Sequence, residues 1–84
     1  MNAPLPPLSA AAQNFRPGIY RHYRTRGLYH ATLVGRHSED PSQELVVYIP
    51  LEQGGAWSRP LPVFIGEVEV DGVRQPRFAW VREA

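Results

Sequence analysis

The sequence predicts an all-β protein, a small barrel of about five short strands with one short helical or 3₁₀ turn between Leu61 and Ile65. Three observations support this prediction. Short runs rich in aromatic and β-branched residues recur along the chain, glycines and prolines separate them, and no window keeps a 3.6-residue apolar period. A closed barrel also removes the unpaired edges that an open five-stranded sheet exposes.

Each run is expected to form one strand. The predicted strands cover residues 18–23, 28–37, 44–51, a short stretch from 56, then 67–70 and 76–81. Pro60 and Pro62 lack the N–H that a ladder needs, so the chain is expected to leave the sheet there and form the helical turn.

Glycines mark the expected irregularities between and within the strands. Gly27 is available for positive φ in the first turn, and Gly35 is expected at a bulge or bend. Asp71 followed by Gly72 is the dipeptide typical of a tight hairpin turn.

The chain of 84 residues is long enough for one domain with one core. Residues 1–14 are predicted to be a flexible Pro/Ala-rich tail and residues 15–84 a single domain. The tail has no charged side chain and is interrupted by prolines, so it does not fit a signal peptide, and no apolar run approaches the length of a membrane span. We therefore expect a soluble cytoplasmic protein that does not associate with membranes.

Charge and cysteine content exclude some classes of function. The chain has no cysteine, which excludes disulfides and thiolate metal sites. Its net charge of +1 argues against a strongly basic nucleic-acid binder. The signs are nevertheless segregated, because five arginines and no acid lie between residues 16 and 37, whereas seven of the eight acids lie between 38 and 72. Either the basic segment faces an anionic partner, or cross-strand pairs neutralise it.

Catalytic and metal-binding patterns have little support. His22, His30 and His37 have no metal-ligand spacing, and the last two lie near opposite ends of one predicted strand, about 20 Å apart. No nucleophile elbow, phosphate-binding loop or dinucleotide fingerprint is present. We predict no metal and no cofactor, and no catalytic residue is assigned.

Aromatic residues interleaved with arginines are the remaining candidate for a site. They are Tyr20, Tyr23, Tyr29, Tyr48, Trp57 and Trp80, with Arg21, Arg24, Arg59 and Arg77 between them. Such a set could stack against bases or line a peptide groove. Alternatively most of these rings form the core, because a barrel of this size needs their bulk.

Five segments in order resemble the bacterial family named domain of unknown function 1653. They are "GIYRHYRTRGLY", "GRHSED", "ELVVYIPL", "AWSRPLPVF" and "PRFAWV". The resemblance covers about residues 15–81 and implies an SH3-like β-barrel. It implies no activity. The chain departs from the family pattern in the turn "TRG", at Ser58 and Val63, and in lacking a tyrosine after Leu51.

The polar members of the matching pattern are hypothesised to form one cluster with two aromatic residues. The candidate ligand-binding residues are Tyr20, Arg21, His22, His37, Glu39, Trp57, Arg59 and Arg77. Our first interpretation is a non-enzymatic binding module whose groove takes an acidic peptide, a nucleic acid or another anionic ligand. The alternative is a small enzyme or metabolite-binding domain that uses His22 or His37 as an acid/base group. The cluster could also be purely structural, and a homo-oligomer is a further possibility.

Overall fold

The computed structural model of the protein describes residues 4–84, which form seven strands and two four-residue helices. The helices are α1, Ala10–Gln13, and α2, Leu61–Phe64. The strands are β1, Gly18–His22; β2, Leu28–Arg36; β3, Glu44–Pro50; β4, Trp57–Pro60; β5, Glu67–Val70; β6, Val73–Pro76; and β7, Phe78–Arg82. No helix among these residues has both the length and the apolar character that crossing a bilayer demands.

Five strands form one antiparallel sheet in the order β4-β3-β2-β1-β7, and β5 pairs with β6 in a separate hairpin. The prediction of an all-β fold is confirmed. The prediction of a closed barrel is wrong, because among residues 4–84 no backbone ladder joins β4 to β7. The sheet curves until these two edges approach, with the Arg59 guanidinium carbon 5.6 Å from the centre of the Phe78 ring. The SH3-like assignment stays a prediction.

A stack of aromatic rings, not a ladder, joins the two edges of the sheet. Helix α2 follows β4 directly and places Phe64 face to face with Phe78 of β7, with ring centres 4.2 Å apart and planes within 8°. Phe64, Leu61 and Val46 are the largest fully buried side chains. Offset-stacked aromatic pairs and buried apolar area both stabilise such a core. We call this part of the molecule, made by Leu61 and Phe64 against Phe78, the closed end.

The predicted helical turn between Leu61 and Ile65 is confirmed as α2. Pro60 occupies the N-cap and Pro62 lies in the first turn, where a missing N–H costs nothing because that N–H has no helical partner. Pro60 is tolerated in β4 because, within residues 4–84, β4 is an edge strand that pairs with β3 alone.

The irregularity of β2 lies at Thr32 and not at Gly35. The register with β3 shifts between Ala31 and Leu33, whereas Gly35 pairs regularly with Leu45. The hydroxyl of Thr32 donates a hydrogen bond to the Val47 carbonyl at 3.1 Å. An extra residue in one strand increases the local twist, which helps the sheet to curl toward its own far edge.

The β5–β6 hairpin turns at Asp71 and Gly72, as predicted. Both residues have positive φ, 51° and 79°, which is the combination that a tight two-residue hairpin turn requires. Strand β6 was not predicted, because its sequence "VRQP" has weak strand propensity and ends in proline. It forms as the partner of the alternating β5, and Arg74 pairs with Glu67 across the hairpin at 3.1 Å.

The segment before β1 lies against the domain in the described residues. Ser9 caps α1 by accepting a hydrogen bond from the Ala12 amide, and its own amide and hydroxyl both donate to the Glu44 carboxylate, at 2.8 and 2.7 Å. The Phe15 ring lies 6.1 Å from Tyr20 and packs against the core. The division into a tail of residues 1–14 and a domain of residues 15–84 stays a prediction, and residues 1–3 lie outside the described residues.

Candidate functional site

A groove of about 690 Å³ opens to solvent at the end of the sheet that α2 does not fill. We call it the open groove. Strands β1, β2, β3, β4 and β7 all contribute to it, together with the β1–β2 turn and the β3–β4 loop. Its lining residues are Arg21, His22, Thr25, Arg26, Gly27, Leu28, Tyr29, Tyr48, Pro50, Leu51, Glu52, Gln53, Trp57, Arg59 and Phe78.

The floor of the open groove is a triangle of aromatic rings. Tyr29, Tyr48 and Phe78 meet edge to face, with ring centres 5.5 Å apart for Tyr29–Tyr48, 5.8 Å for Tyr29–Phe78 and 5.5 Å for Tyr48–Phe78. Tyr48 and Phe78 are buried, whereas Tyr29 is half-buried. Such edge-to-face pairs hold the rings in defined positions. The floor is therefore an apolar surface whose shape is set by the core beneath it.

Arg59 crosses this floor from β4. Its Nε donates a hydrogen bond to the Tyr48 hydroxyl at 3.2 Å, and its guanidinium lies near the face of Phe78. Cation–π contact and a neutral hydrogen-bond partner hold the head in place. The side chain is half-buried, and the ion pair found among residues 4–84 is Arg74–Glu67, which does not include it. The guanidinium therefore keeps donors that no carboxylate of the described chain occupies.

His22 lines the groove beside Phe78, with ring centres 5.0 Å apart. Its Nδ1 accepts hydrogen bonds from the backbone amides of Arg24 and Thr25, at 3.2 and 3.3 Å. Burial lowers the pKa of His22 below its ordinary value, and the charges of Arg59, Arg24 and Arg77 lower it further. Because Nδ1 accepts both hydrogen bonds, the neutral ring carries its proton on Nε2.

Trp57 forms one wall of the groove. It begins the edge strand β4, lies two residues before Arg59, and exposes 61% of its surface. Residues at i and i+2 of a strand project from the same face, so Trp57 and Arg59 serve one side of the sheet. A tryptophan that exposes this much area contributes little to the core, unlike the buried rings beneath it.

Four of the eight sequence-predicted residues line the open groove: Arg21, His22, Trp57 and Arg59. Arg21 also borders a smaller depression of about 320 Å³ on the other side of β1, with Tyr23 and Trp80. Tyr20 is buried in the core, and its hydroxyl donates to the Arg16 carbonyl at 2.6 Å.

The other three candidates lie elsewhere, so the single cluster that we hypothesised does not form. His37 and Glu39 lie in the β2–β3 turn, where the Glu39 amide donates to His37 Nδ1 at 3.1 Å. Nine-residue β2 separates them from the groove, about 25 Å at the rise of a strand. Arg77 is outside the groove lining, but its charge acts on His22, and its Nε is buried without a hydrogen-bond partner among the described residues.

Three aromatic residues of the floor and Arg26 line the groove but were not among the predicted site residues. Tyr29, Tyr48 and Phe78 were available as aromatic candidates or as members of the family pattern, and strand register would have grouped them. Arg26 was missed because Gly27 was expected to take positive φ in the first turn. That expectation is wrong: Arg26 has φ 63°, and the Arg26 side chain lines the groove.

Cross-strand ion pairs neutralise little of the charge of the basic segment. Arg36 and Glu44 face each other across β2 and β3, yet Arg36 donates to the Pro41 carbonyl while Glu44 accepts from Ser9. Hydrogen bonds from Ser9 lower the pKa of Glu44, and Arg36 lowers it further. No group of three or more potential metal-ligating side chains converges within the described part of the chain.

Comparison with known proteins gives one consistent result. The model of the family described as "Protein of unknown function (DUF1653)" matches residues 18–80. The crystal structure of a DUF1653 protein from Bordetella bronchiseptica is similar to this chain, with a TM-score of 0.76 and 34% identity over 87% of this chain and 95% of that one. No curated protein matches. The chain therefore belongs to the DUF1653 family, as its ordered sequence landmarks predicted.

Proposed function

We propose that this protein is a non-enzymatic binding module whose open groove holds an anionic ligand, with Arg59 as the anion-binding residue. One observation carries the proposal. Arg59 is half-buried, fixed against Tyr48 and Phe78, and forms no ion pair among residues 4–84. Partly buried charges are normally paired, because desolvation without a partner costs free energy. A ligand anion is the partner that this arrangement lacks.

The strength of such a contact is sufficient for recognition. A hydrogen bond to a charged group contributes about 1.5–3 kcal/mol, and a guanidinium can present two parallel N–H groups to a carboxylate or phosphate. Because the Nε of Arg59 already donates to Tyr48, its terminal nitrogens remain for the ligand. Trp57 adds an exposed ring two residues away, which suits a ligand with a planar or apolar portion.

His22 supports binding rather than acid/base catalysis. With Nδ1 occupied by two backbone amides, the neutral ring offers a fixed Nε2–H donor and no free lone pair for proton abstraction. His37 likewise uses Nδ1 to accept from the Glu39 amide. No histidine side chain forms a hydrogen bond with a carboxylate anywhere in the described residues. These contacts favour the binding module over the enzyme alternative.

The test is a titration of the ¹⁵N-labelled protein followed by NMR, with three anions of different shape: a ten-residue oligoglutamate, a ten-nucleotide oligothymidylate and adenosine monophosphate. We expect at least one to shift the Trp57 indole and Arg59 Nε signals. Arg59→Gln should abolish the shifts, whereas Arg82→Gln, which removes an exposed arginine outside the groove lining, should not. If none of the three gives Arg59-dependent shifts, the proposed function is wrong.

A further inference from the structure

The open groove has separate places for a ring and for an anion, which narrows the ligand class. Resting on the proposed function above, we propose that the ligand is a nucleoside monophosphate. Its base stacks on Trp57, and its phosphate lies between Arg59 and the Nε2–H of His22. Three properties of the groove support this ligand class: the two kinds of surface, the spacing between them and the net charge of the lining.

The ring position is Trp57. Its indole is 61% exposed at the groove wall, and the neighbouring loop contributes Glu52 and Gln53 to the same lining. Stacking of a base on an aromatic side chain contributes about 1–3 kcal/mol and tolerates any base. The carboxylate and the amide in this lining supply both acceptors and a donor for the polar edge of a base.

The anion position is the floor between β4 and β1. Arg59 contributes a guanidinium, and His22 contributes a neutral Nε2–H donor whose orientation is fixed by the two backbone bonds to Nδ1. Arg24 and Arg77 are near enough for their charges, with that of Arg59, to disfavour a proton on His22. The same positive potential favours an anion there. Arg26 at the rim adds a further cation.

The spacing of the two positions selects a linker. The backbones of Trp57 and Arg59 lie about 7 Å apart on one face of β4, and the Arg59 guanidinium extends across the floor to 5.6 Å from the centre of the Phe78 ring on β7. A ring that carries its anion directly, as in phenyl phosphate, has no spacer to cover this separation. A nucleotide has one, because the sugar lies between base and phosphate.

Size and charge favour a monomeric ligand over a polymer. The groove volume of about 690 Å³ lies within the roughly 300–1,000 Å³ that is usual for small-molecule sites. The groove lining has a positive balance, with Arg21, Arg26 and Arg59 against Glu52. The whole chain has a net charge of only +1, so a polyanion that extends beyond the groove gains little further attraction.

The experiment compares dissociation constants by calorimetry for adenosine monophosphate, adenosine, phenyl phosphate and inorganic phosphate. Adenosine monophosphate should bind most tightly, with each of the other three weaker by about tenfold or more. Arg59→Gln and Trp57→Ala should each weaken it about tenfold, whereas Arg82→Gln and Val73→Ala, exposed residues outside the groove, should stay within about twofold. Thermal unfolding of each variant confirms that the fold is retained.

NMR supplies an internal control. Trp80 is the second tryptophan, and its indole donates to the Pro17 carbonyl at 3.3 Å, away from the groove lining. Adenosine monophosphate should shift the Trp57 indole signal and leave that of Trp80 in place.

The outcomes separate this inference from the function on which it rests. If oligoglutamate or oligothymidylate binds in an Arg59-dependent way while adenosine monophosphate does not, the groove binds anions but the ligand class is wrong. Binding of phenyl phosphate as tight as that of adenosine monophosphate also overturns the inference, because no spacer is then needed. If no anion binds, both proposals fail.

Discussion

The closed end and the open groove share one ring, Phe78, but are built on different principles. At the closed end Phe64 stacks on Phe78 at 4.2 Å and is fully buried beside Leu61, with no polar group in the contact. At the open groove the same ring meets His22 at 5.0 Å and the guanidinium of Arg59 at 5.6 Å. Side chains of α2 thus fill one end of the sheet interior, and the other end is open to solvent.

Stability and recognition lie in different parts of this fold. Burial of apolar area with dense packing stabilises the closed end. The open groove instead holds a cation with no carboxylate partner in the described chain, a largely exposed tryptophan and an arginine with positive φ, three features that do not increase stability. Natural proteins usually break such local rules at functional sites. Changes at the two ends should therefore have opposite signatures.

The largest expected effect is at the closed end. Phe64→Ala should lower the free energy of unfolding by about 3–5 kcal/mol, because it removes a fully buried ring and leaves a cavity against Phe78. Urea denaturation followed by circular dichroism measures it. Val63→Ala, the preceding residue of α2 with 40% exposure, is the matched control and should cost less than about 1 kcal/mol. A loss below 1 kcal/mol for Phe64→Ala would mean that the stack does not hold the sheet edges together.

A smaller effect of opposite sign is expected at the groove rim. Arg26→Gly should raise the free energy of unfolding by about 0.5–1 kcal/mol. A left-handed conformation costs an L-residue about 1–2 kcal/mol, which glycine avoids, but the larger conformational entropy of glycine in the unfolded chain offsets part of this stabilisation. The same variant should bind anions more weakly. Arg24→Gly is the control in the same turn, and because Arg24 does not have positive φ, it should destabilise the protein. Stabilisation by both substitutions would refute the strain at Arg26.

The smallest effect concerns His22 and pH. Its pKa in the folded protein lies below the ordinary value of 6.5, so the unfolded chain binds more protons between these two values. This contribution to stability is complete above pH 6.5 and is lost as the pH falls through the folded pKa. His22→Asn keeps an acceptor for the Arg24 and Thr25 amides and cannot titrate. The urea midpoint should fall less between pH 7.5 and 5.5 in this variant than in the wild type. If the variant and the wild type show the same pH dependence, the pKa of His22 is not lowered in the folded protein.

Much of the fold follows from local sequence. Strict alternation in "EVEV", the Asp71-Gly72 pair and the prolines around Leu61 each determine conformation within a few residues, and the structure has β5, its turn and α2 at those places. Barrel closure could not be predicted in this way. It depends on whether β4 reaches β7, and Phe64 fills the space between them instead.

The site was predictable only in part, because it too depends on which distant segments of the chain meet. The hypothesised cluster included His22, Trp57 and Arg59, which lie together in the groove. His37 and Glu39 belong to the same pattern but lie at the far end of β2. A shared pattern therefore marks residues that matter to a fold or a site without telling which of them meet in space.

The most direct test of the contrast between the two ends is the free energy of unfolding of Arg59→Met. Methionine keeps the apolar stem over Phe78 and removes the unpaired charge. If Arg59 is kept for a ligand, the variant should stay within about 1 kcal/mol of the wild type or exceed it, as apolar replacements of partly buried charges often do. A loss of about 3 kcal/mol or more would show that Arg59 holds the two edges of the sheet together, and would contradict the proposal that Arg59 is kept for a ligand.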